Sequence, residues 1–153
     1  MVHLDRRAAN VKVSVRYDES ILQTPLVAAA HALHQALVNI CLNALDAMAQ
    51  EGEPRLEIHA CRSGPECLIR VADNGHGISP DQMPHLFEPF FTTKPPGKGT
   101  GLGLAVSDRL IRDHGGRIEV ESTGSGAVFT IHLPMGGAPP GAGQTLAQTD
   151  TND

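Results

Sequence analysis

The sequence predicts an α+β fold: a two-layer α/β sandwich in which about three helices cover one face of a mixed, mostly antiparallel sheet. Three observations carry this. Residues 33–48 repeat apolar side chains at helical spacing, with Leu33, Leu37, Ile40, Ala44 and Met48 on one face. Several short runs alternate apolar and polar residues, as a half-buried strand does. Their order along the chain is strand, helix, two strands, short helix, helix, two strands.

Residues 1–10 are polar and charged and read as an N-terminal remnant or linker. Val11, Val13, Val15 and Tyr17 alternate with Lys12, Ser14 and Arg16, which predicts a half-buried strand. Residues 18–25 connect it to a central helix from about Ala30 to Gln50, stopped by Gly52 and Pro54. Leu56–Cys61 and Cys67–Ala72 read as strands around a turn at Arg62-Ser63-Gly64-Pro65-Glu66. Ser79-Pro80-Asp81 looks like a helix start, with Ser79 as cap and Pro80 in the first position. Residues 84–100 form a long Pro-, Gly- and Thr-rich loop. A helix follows from Gly101 to His114, closed by Gly115-Gly116. Arg117–Ser122 and Ala127–Leu133 are the last strands. The domain is therefore expected over 11–135, with a disordered Gly/Pro-rich tail at 136–153.

The chain has 153 residues and a net charge of −5, enough for one real core and without a basic patch for nucleic acid. No apolar segment resembles a secretory signal or reaches membrane-spanning length, so no membrane contact is expected. Cys41, Cys61 and Cys67 include no Cys-x-x-Cys pair, and a reducing cytosol is the default. Cys61 and Cys67 flank the turn and read as small strand residues, with a facing redox pair as the lesser alternative. His31 and His34 sit three apart without nearby acidic partners and read as a solvated helix face.

Four stretches carry candidate chemistry. Asn39, Asn43 and Asp46 fall within about 60° of one another on the largely apolar central helix. They need partners, either in a buried hydrogen-bond network or in a ligand. Asp73 ends a strand just before Gly75 and Gly77. It reads either as a hairpin turn or as a carboxylate for an exocyclic amine, with the glycines letting a ring lie on the backbone. Phe87, Phe90 and Phe91 sit in the long loop, as a lid that docks in one state or as a cluster pinning the loop. Lys94 and Lys98 there could reach phosphate oxygens. Gly99-Thr100-Gly101-Leu102-Gly103-Leu104 opens a helix, as a flexible junction or as a phosphate cradle.

In this order, Asn39-x-x-x-Asn43-Ala44-x-Asp46-Ala47, Asp73-Asn74-Gly75-x-Gly77, Phe87-Glu88-Pro89-Phe90 and the Gly99–Leu104 run closely resemble one known family. It is the catalytic ATP-binding domain of two-component sensor histidine kinases, in the GHKL group with gyrase-type topoisomerases, Hsp90 chaperones and MutL repair proteins. The resemblance covers roughly residues 11–134, and the Phe-Phe-Thr-Thr-Lys lid is similar to nitrogen-regulation and dicarboxylate sensors. It implies the GHKL (Bergerat) fold and an Mg²⁺-ATP site. Asn43 would be the metal ligand, with Asn39 and Asp46 beside it. Asp73 would read adenine, with Gly75, Gly77 and Ile78 lining the base pocket and Thr130 supporting it. Phe91, Thr92, Lys94 and Lys98 would contribute from the lid, and Gly99, Thr100, Gly101, Leu102, Gly103 and Leu104 from the phosphate loop. Asn39 and Lys94 would be the catalytic positions.

Hydrolytic members of the family place a glutamate four residues before the metal-binding asparagine. Here that position is Asn39, which cannot accept a proton at neutral pH. The resemblance therefore implies transfer of the γ-phosphoryl group to a histidine on a separate phosphoacceptor and dimerisation domain, with a response regulator downstream. None of the eight histidines here is followed by Asp or Glu, as the family's acceptor histidine is. The expectation is a cytoplasmic catalytic half that is a monomer in isolation. The rivals are an ATPase of the topoisomerase or repair type and a degenerate nucleotide-binding scaffold.

Overall fold

The computed structural model describes residues 10–23 and 30–136. The N-terminal remnant and the Gly/Pro-rich tail expected at 1–10 and 136–153 lie, but for their innermost residues, outside these. The elements are β1 (Lys12–Tyr17), α1 (Ala30–Ala47), β2 (Arg55–Ser63), β3 (Glu66–Asp73), α2 (Gly103–Asp113), β4 (Arg117–Thr123) and β5 (Gly126–Pro134). Single 3-10 turns occupy Glu19–Gln23 and Met83–His85. The sheet order is β1-β2-β3-β5-β4. Only β1 and β2 run parallel.

Strand alternation gives the sheet two unlike faces. Cys67, Ile69, Val71, Phe129, Ile131 and Leu133 face the helices and are buried. Across the other face run Arg117, which pairs with Glu66 and Glu119, and the exposed Arg70. Cys61 stands opposite Leu68, while Cys67 stands opposite Arg62, so the two cysteines project from opposite faces of the hairpin. That register rules out the facing pair.

α1 packs with its deepest residues at Ala32, Ala36, Ile40 and Ala44. The predicted stripe included Leu33 and Leu37, which are only partly buried. Alanine methyls occupy the closest approach, and the leucines flank it. The helix ends at Ala47, three residues early, where the Ala47 carbonyl accepts the His76 N–H at 3.2 Å. His31 and His34 are exposed on it.

Two expectations change. The helix expected from Ser79 is only turns and the Met83–His85 turn, so the helical layer has two α-helices. Pro84 explains this, because proline lacks an N–H and disfavours helical geometry in the residue before it. β1 was expected to be half-buried, yet all six residues are exposed. It is an edge strand, and the helices pack chiefly over β3, β5 and β4. Among the described residues no helix is long and apolar enough to cross a membrane.

Candidate functional site

A cavity of ≈ 470 Å³ opens between α1, the loop after β3, the segment 91–101 and the start of α2. One wall is α1. Asn39, Asn43, Asp46 and Ala47 all line it, because their spacing puts them on one stripe of the helix. From Asn39 to Ala47 this wall is about 12 Å long, at 1.5 Å per residue.

At the Asn39 end the wall meets the phosphate-loop candidate. Asn39 Nδ2 donates to the Gly103 carbonyl at 3.0 Å and to Ser107 Oγ at 2.9 Å. A Cβ on Gly103 would lie 3.6 Å from Asn39 Cγ. α2 begins at Gly103, two residues later than expected, because Gly101 has φ 67° and cannot be helical. A side chain on Gly101 would also strike the Phe90 backbone, at 2.4 Å from its carbonyl carbon. Phe90 itself has φ 67°, donates its N–H to the Gly101 carbonyl at 2.9 Å and is 75% exposed. Thr100 Oγ1 accepts the Leu102 N–H at 3.3 Å, shaping the approach to α2.

Mid-wall, the lid folds in. The Lys94 ammonium rests on the Asp46 carboxylate and reaches Asn43 Oδ1 at 3.4 Å. The Lys94 N–H donates to Thr92 Oγ1 at 3.1 Å, which holds the bend before the lysine.

At the Ala47 end lies Asp73. The Gly75 N–H donates to Asp73 Oδ1 at 2.9 Å. Burial pushes the Asp73 carboxyl above the ordinary aspartate range, while hydrogen bonds from the Gly75 and Ala127 backbones and the nearby His76 oppose it. Gly75 is held so close to the end of α1 that a Cβ would lie 2.5 Å from the Ala47 carbonyl oxygen. Asn74 fastens the same loop to β2, accepting the Arg55 N–H at 2.7 Å and donating to the Glu53 carbonyl at 2.9 Å. This is not a two-residue hairpin. The Ile78 N–H donates to Ser122 Oγ at 2.8 Å.

The cavity brings together Asn39, Asn43, Asp46, Asp73, Gly77, Ile78, Phe91, Thr92, Lys94, Gly99, Thr100, Gly101, Gly103 and Leu104. Four of the expected residues do not line it. Gly75 sits behind it against α1. Lys98 is exposed in a turn closed by its N–H to the Pro95 carbonyl at 3.0 Å. Leu102 points outward and is 36% exposed. Thr130 is a correction: it stands between Arg70 and Glu119 on the outer face of the sheet. Alternation along β5 turns Ala127 and Phe129 toward the cavity instead, and both line it. His76, Gln82, Ala127 and Phe129 were missed. The apolar alternation around Phe129 was the signal for two of them. Ser107 was also missed, although a serine at the inward positions of an amphipathic helix stands out.

The profile of the histidine kinase-, DNA gyrase B- and HSP90-like ATPase family matches residues 28–137. The two-component sensor PprA of Pseudomonas aeruginosa is 46% identical over 121 residues, covering 74% of this chain and 13% of that protein. The sensor histidine kinase ZraS of Salmonella typhimurium is 40% identical over 137 residues, covering 88% and 28%. The chain thus spans well under a third of these relatives. Among solved structures, the nucleotide-free catalytic domain of histidine kinase ThkA superposes with a TM-score of 0.69 at 29% identity, covering 82% of this chain and 79% of that one. A profile match over most of the described residues, together with a sandwich that superposes along its length, means that the chain belongs to the histidine kinase-, DNA gyrase B- and HSP90-like ATPase family, as an ATP-binding catalytic domain of the sensor histidine kinase kind.

Proposed function

We propose that this domain holds Mg²⁺-ATP along α1 and presents the γ-phosphoryl group to a histidine on a separate helical dimerisation domain, in the cytoplasm and upstream of a response regulator. One observation carries the reading. α1 forms a single wall about 12 Å long, with the half-buried Asp73 carboxylate at one end and the N-terminus of α2 at the other. That matches a nucleoside triphosphate with its base at Asp73 and its phosphates at α2.

Asp73 accepts a hydrogen bond from the adenine amine, and Gly77, Ile78 and Phe129 enclose the ring. The first-turn N–H groups of α2, which lack intrahelical partners, meet the phosphates. Asn43 Oδ1 and the Asp46 carboxylate are hard oxygen donors suited to Mg²⁺. The Lys94 ammonium lies against both of them, which supports a cation at this spot. Bound there with phosphate oxygens, Mg²⁺ would offset the triphosphate charge. Positioning and charge neutralisation supply most of the catalysis in such transfers. Asn39 offers no base for water, so a protein acceptor is favoured over hydrolysis.

The test is incubation with γ-labelled ATP. The isolated chain should bind ATP, stay unlabelled and release phosphate slowly. Adding a histidine-bearing helical hairpin from a full-length relative should give acid-labile label on the hairpin. Rapid phosphate release without an acceptor would favour an ATPase. Tight ATP binding with no transfer to any hairpin would favour a scaffold.

A further inference from the structure

Asn39 gives its amide hydrogens to α2, and a buried serine receives one of them. Ser107 is fully buried. Its hydroxyl donates to the Gly103 carbonyl at 2.8 Å. Its lone pair is thereby turned toward Asn39 Nδ2, which donates to it at 2.9 Å and to the same Gly103 carbonyl at 3.0 Å. The three groups close a ring whose donor directions are mutually dictated. Reversing the Asn39 amide would set its oxygen against the Gly103 carbonyl, acceptor facing acceptor, and leave the hydroxyl with two competing acceptors.

The ring therefore selects one orientation of Asn39. Nδ2 points at α2, and Oδ1 remains for the cavity with only a long 3.5 Å contact from Gln35. Asn39 and Asn43 are one helical turn apart and both line the cavity. Two amide oxygens are then offered along one stripe.

We infer that Ser107 is a positioning residue: it does not line the cavity, and it fixes the Asn39 amide so that an oxygen, not an N–H, faces the Mg²⁺-phosphate end. This rests on the nucleotide reading above and adds a residue to it. Ser107 also ties α1 to the first turn of α2, so the α1 donors and the phosphate-binding N–H groups keep one spacing. Partners one shell out from a metal commonly change its affinity by about 10–100-fold.

The experiment compares Ser107→Ala, Ser107→Val and Ser107→Thr. Val and Thr add the same bulk, and only Thr keeps the hydroxyl, so packing and hydrogen bonding separate. Two quantities are read in each folded protein: exchange of the Asn39 side-chain amide hydrogens by NMR, and ATP affinity with Mg²⁺ relative to that with a chelator. We expect slow amide exchange in the native protein and in Ser107→Thr. In Ser107→Ala and Ser107→Val, exchange should be fast and the Mg²⁺-dependent gain in affinity reduced by about tenfold, with chelated binding little changed. Equal amide exchange in Ser107→Val and Ser107→Thr would overturn the proposal. So would altered exchange with an unchanged Mg²⁺ dependence, which would reduce Ser107 to helix packing. A native protein without any Mg²⁺-dependent gain would defeat the nucleotide reading, while amide exchange would still decide whether Ser107 orients Asn39.

Discussion

Lys94 lies against Asp46, joining the lid to the last turn of α1 across a gap of nearly fifty residues. Both side chains are partly shielded, at 32% and 24% exposure, and Asn43 shares the ammonium. The contact closes the lid over the spot proposed for a cation and phosphate.

The first prediction follows from that tie. Lys94→Gln should speed hydrogen exchange over residues 92–100 in the nucleotide-free protein. The effect should be no more than about fivefold, since a partly exposed pair contributes at most about 1 kcal/mol. ATP should protect residues 88–100 in the native protein and protect them less in Lys94→Gln. Equal protection with and without ATP in the native protein would mark the lid as static.

Asp73 gives a pH signature. Its folded carboxyl titrates above the ordinary range because partial burial desolvates it. The charged form therefore costs stability at neutral pH, and that cost is relieved as pH falls through the folded value. Adenine recognition needs the charged form, so ATP affinity should begin to fall at a higher pH than for an exposed aspartate. Asp73→Asn presents an amide donor to the adenine amine and should weaken ATP at neutral pH by about 1–3 kcal/mol. Titration across pH checks both; an unchanged affinity in Asp73→Asn would remove Asp73 from the base pocket.

On the outer face, Glu66 has the opposite sign. Hydrogen bonds from Arg117, at 2.6 Å, and from His132 hold its carboxyl below the usual glutamate range. That stabilisation is present above the unfolded-state pKa and is lost as pH falls through the folded value. Urea unfolding of the native protein and Glu66→Gln should therefore differ at neutral pH and converge in strong acid. His132 sits between two carboxylates, with Nδ1 3.2 Å from Glu66 and Nε2 3.3 Å from Glu119, so both partners of the ring are acidic.

Backbone geometry at the lid root makes a sharper test. Gly97 and Gly101 both have positive φ, 85° and 67°. A Cβ on Gly97 meets nothing within 4 Å, whereas one on Gly101 meets Phe90 backbone atoms at 2.4–2.7 Å. Gly97→Ala should cost only the strain of the left-handed region, about 1 kcal/mol. Gly101→Ala should additionally displace Phe90, break its N–H bond to Gly101 and weaken ATP by a larger factor, with thermal stability of the sheet little changed. Equal nucleotide affinities in the two variants would separate the lid root from the site.

Asn43→Ala should abolish the Mg²⁺-dependent gain in nucleotide affinity while preserving the fold, because Asn43 is only half-buried and Ala44 carries the packing beside it. Identical Mg²⁺ titrations would make it a structural amide.

The sequence by itself determined the seven main elements, the inner face of the sheet and the four stretches around the cavity. Each is written locally: alternation in Val71-Ala72-Asp73, the helical spacing of Leu33, Leu37, Ile40, Ala44 and Met48, and the glycines around the cavity; that Ala32 and Ala36 rather than Leu33 and Leu37 lie deepest was decided by packing. Pro84 is equally local, and the break it imposes on the short helix is written in the sequence too. Tertiary structure decided what joins residues far apart in the chain. Thr130 and Ala127 differ in placement because strand register turns one to the outer face and the other toward the cavity. Asn39 was visible as a polar residue on an apolar helix, but its partner Ser107 lies 68 residues on and is met only when α2 packs on α1. Lys94 could be placed on a lid from sequence, while its resting contact with Asp46 depended on how that lid folds back. Short-range periodicity fixes conformation within a few residues; register and packing choose which side chains meet.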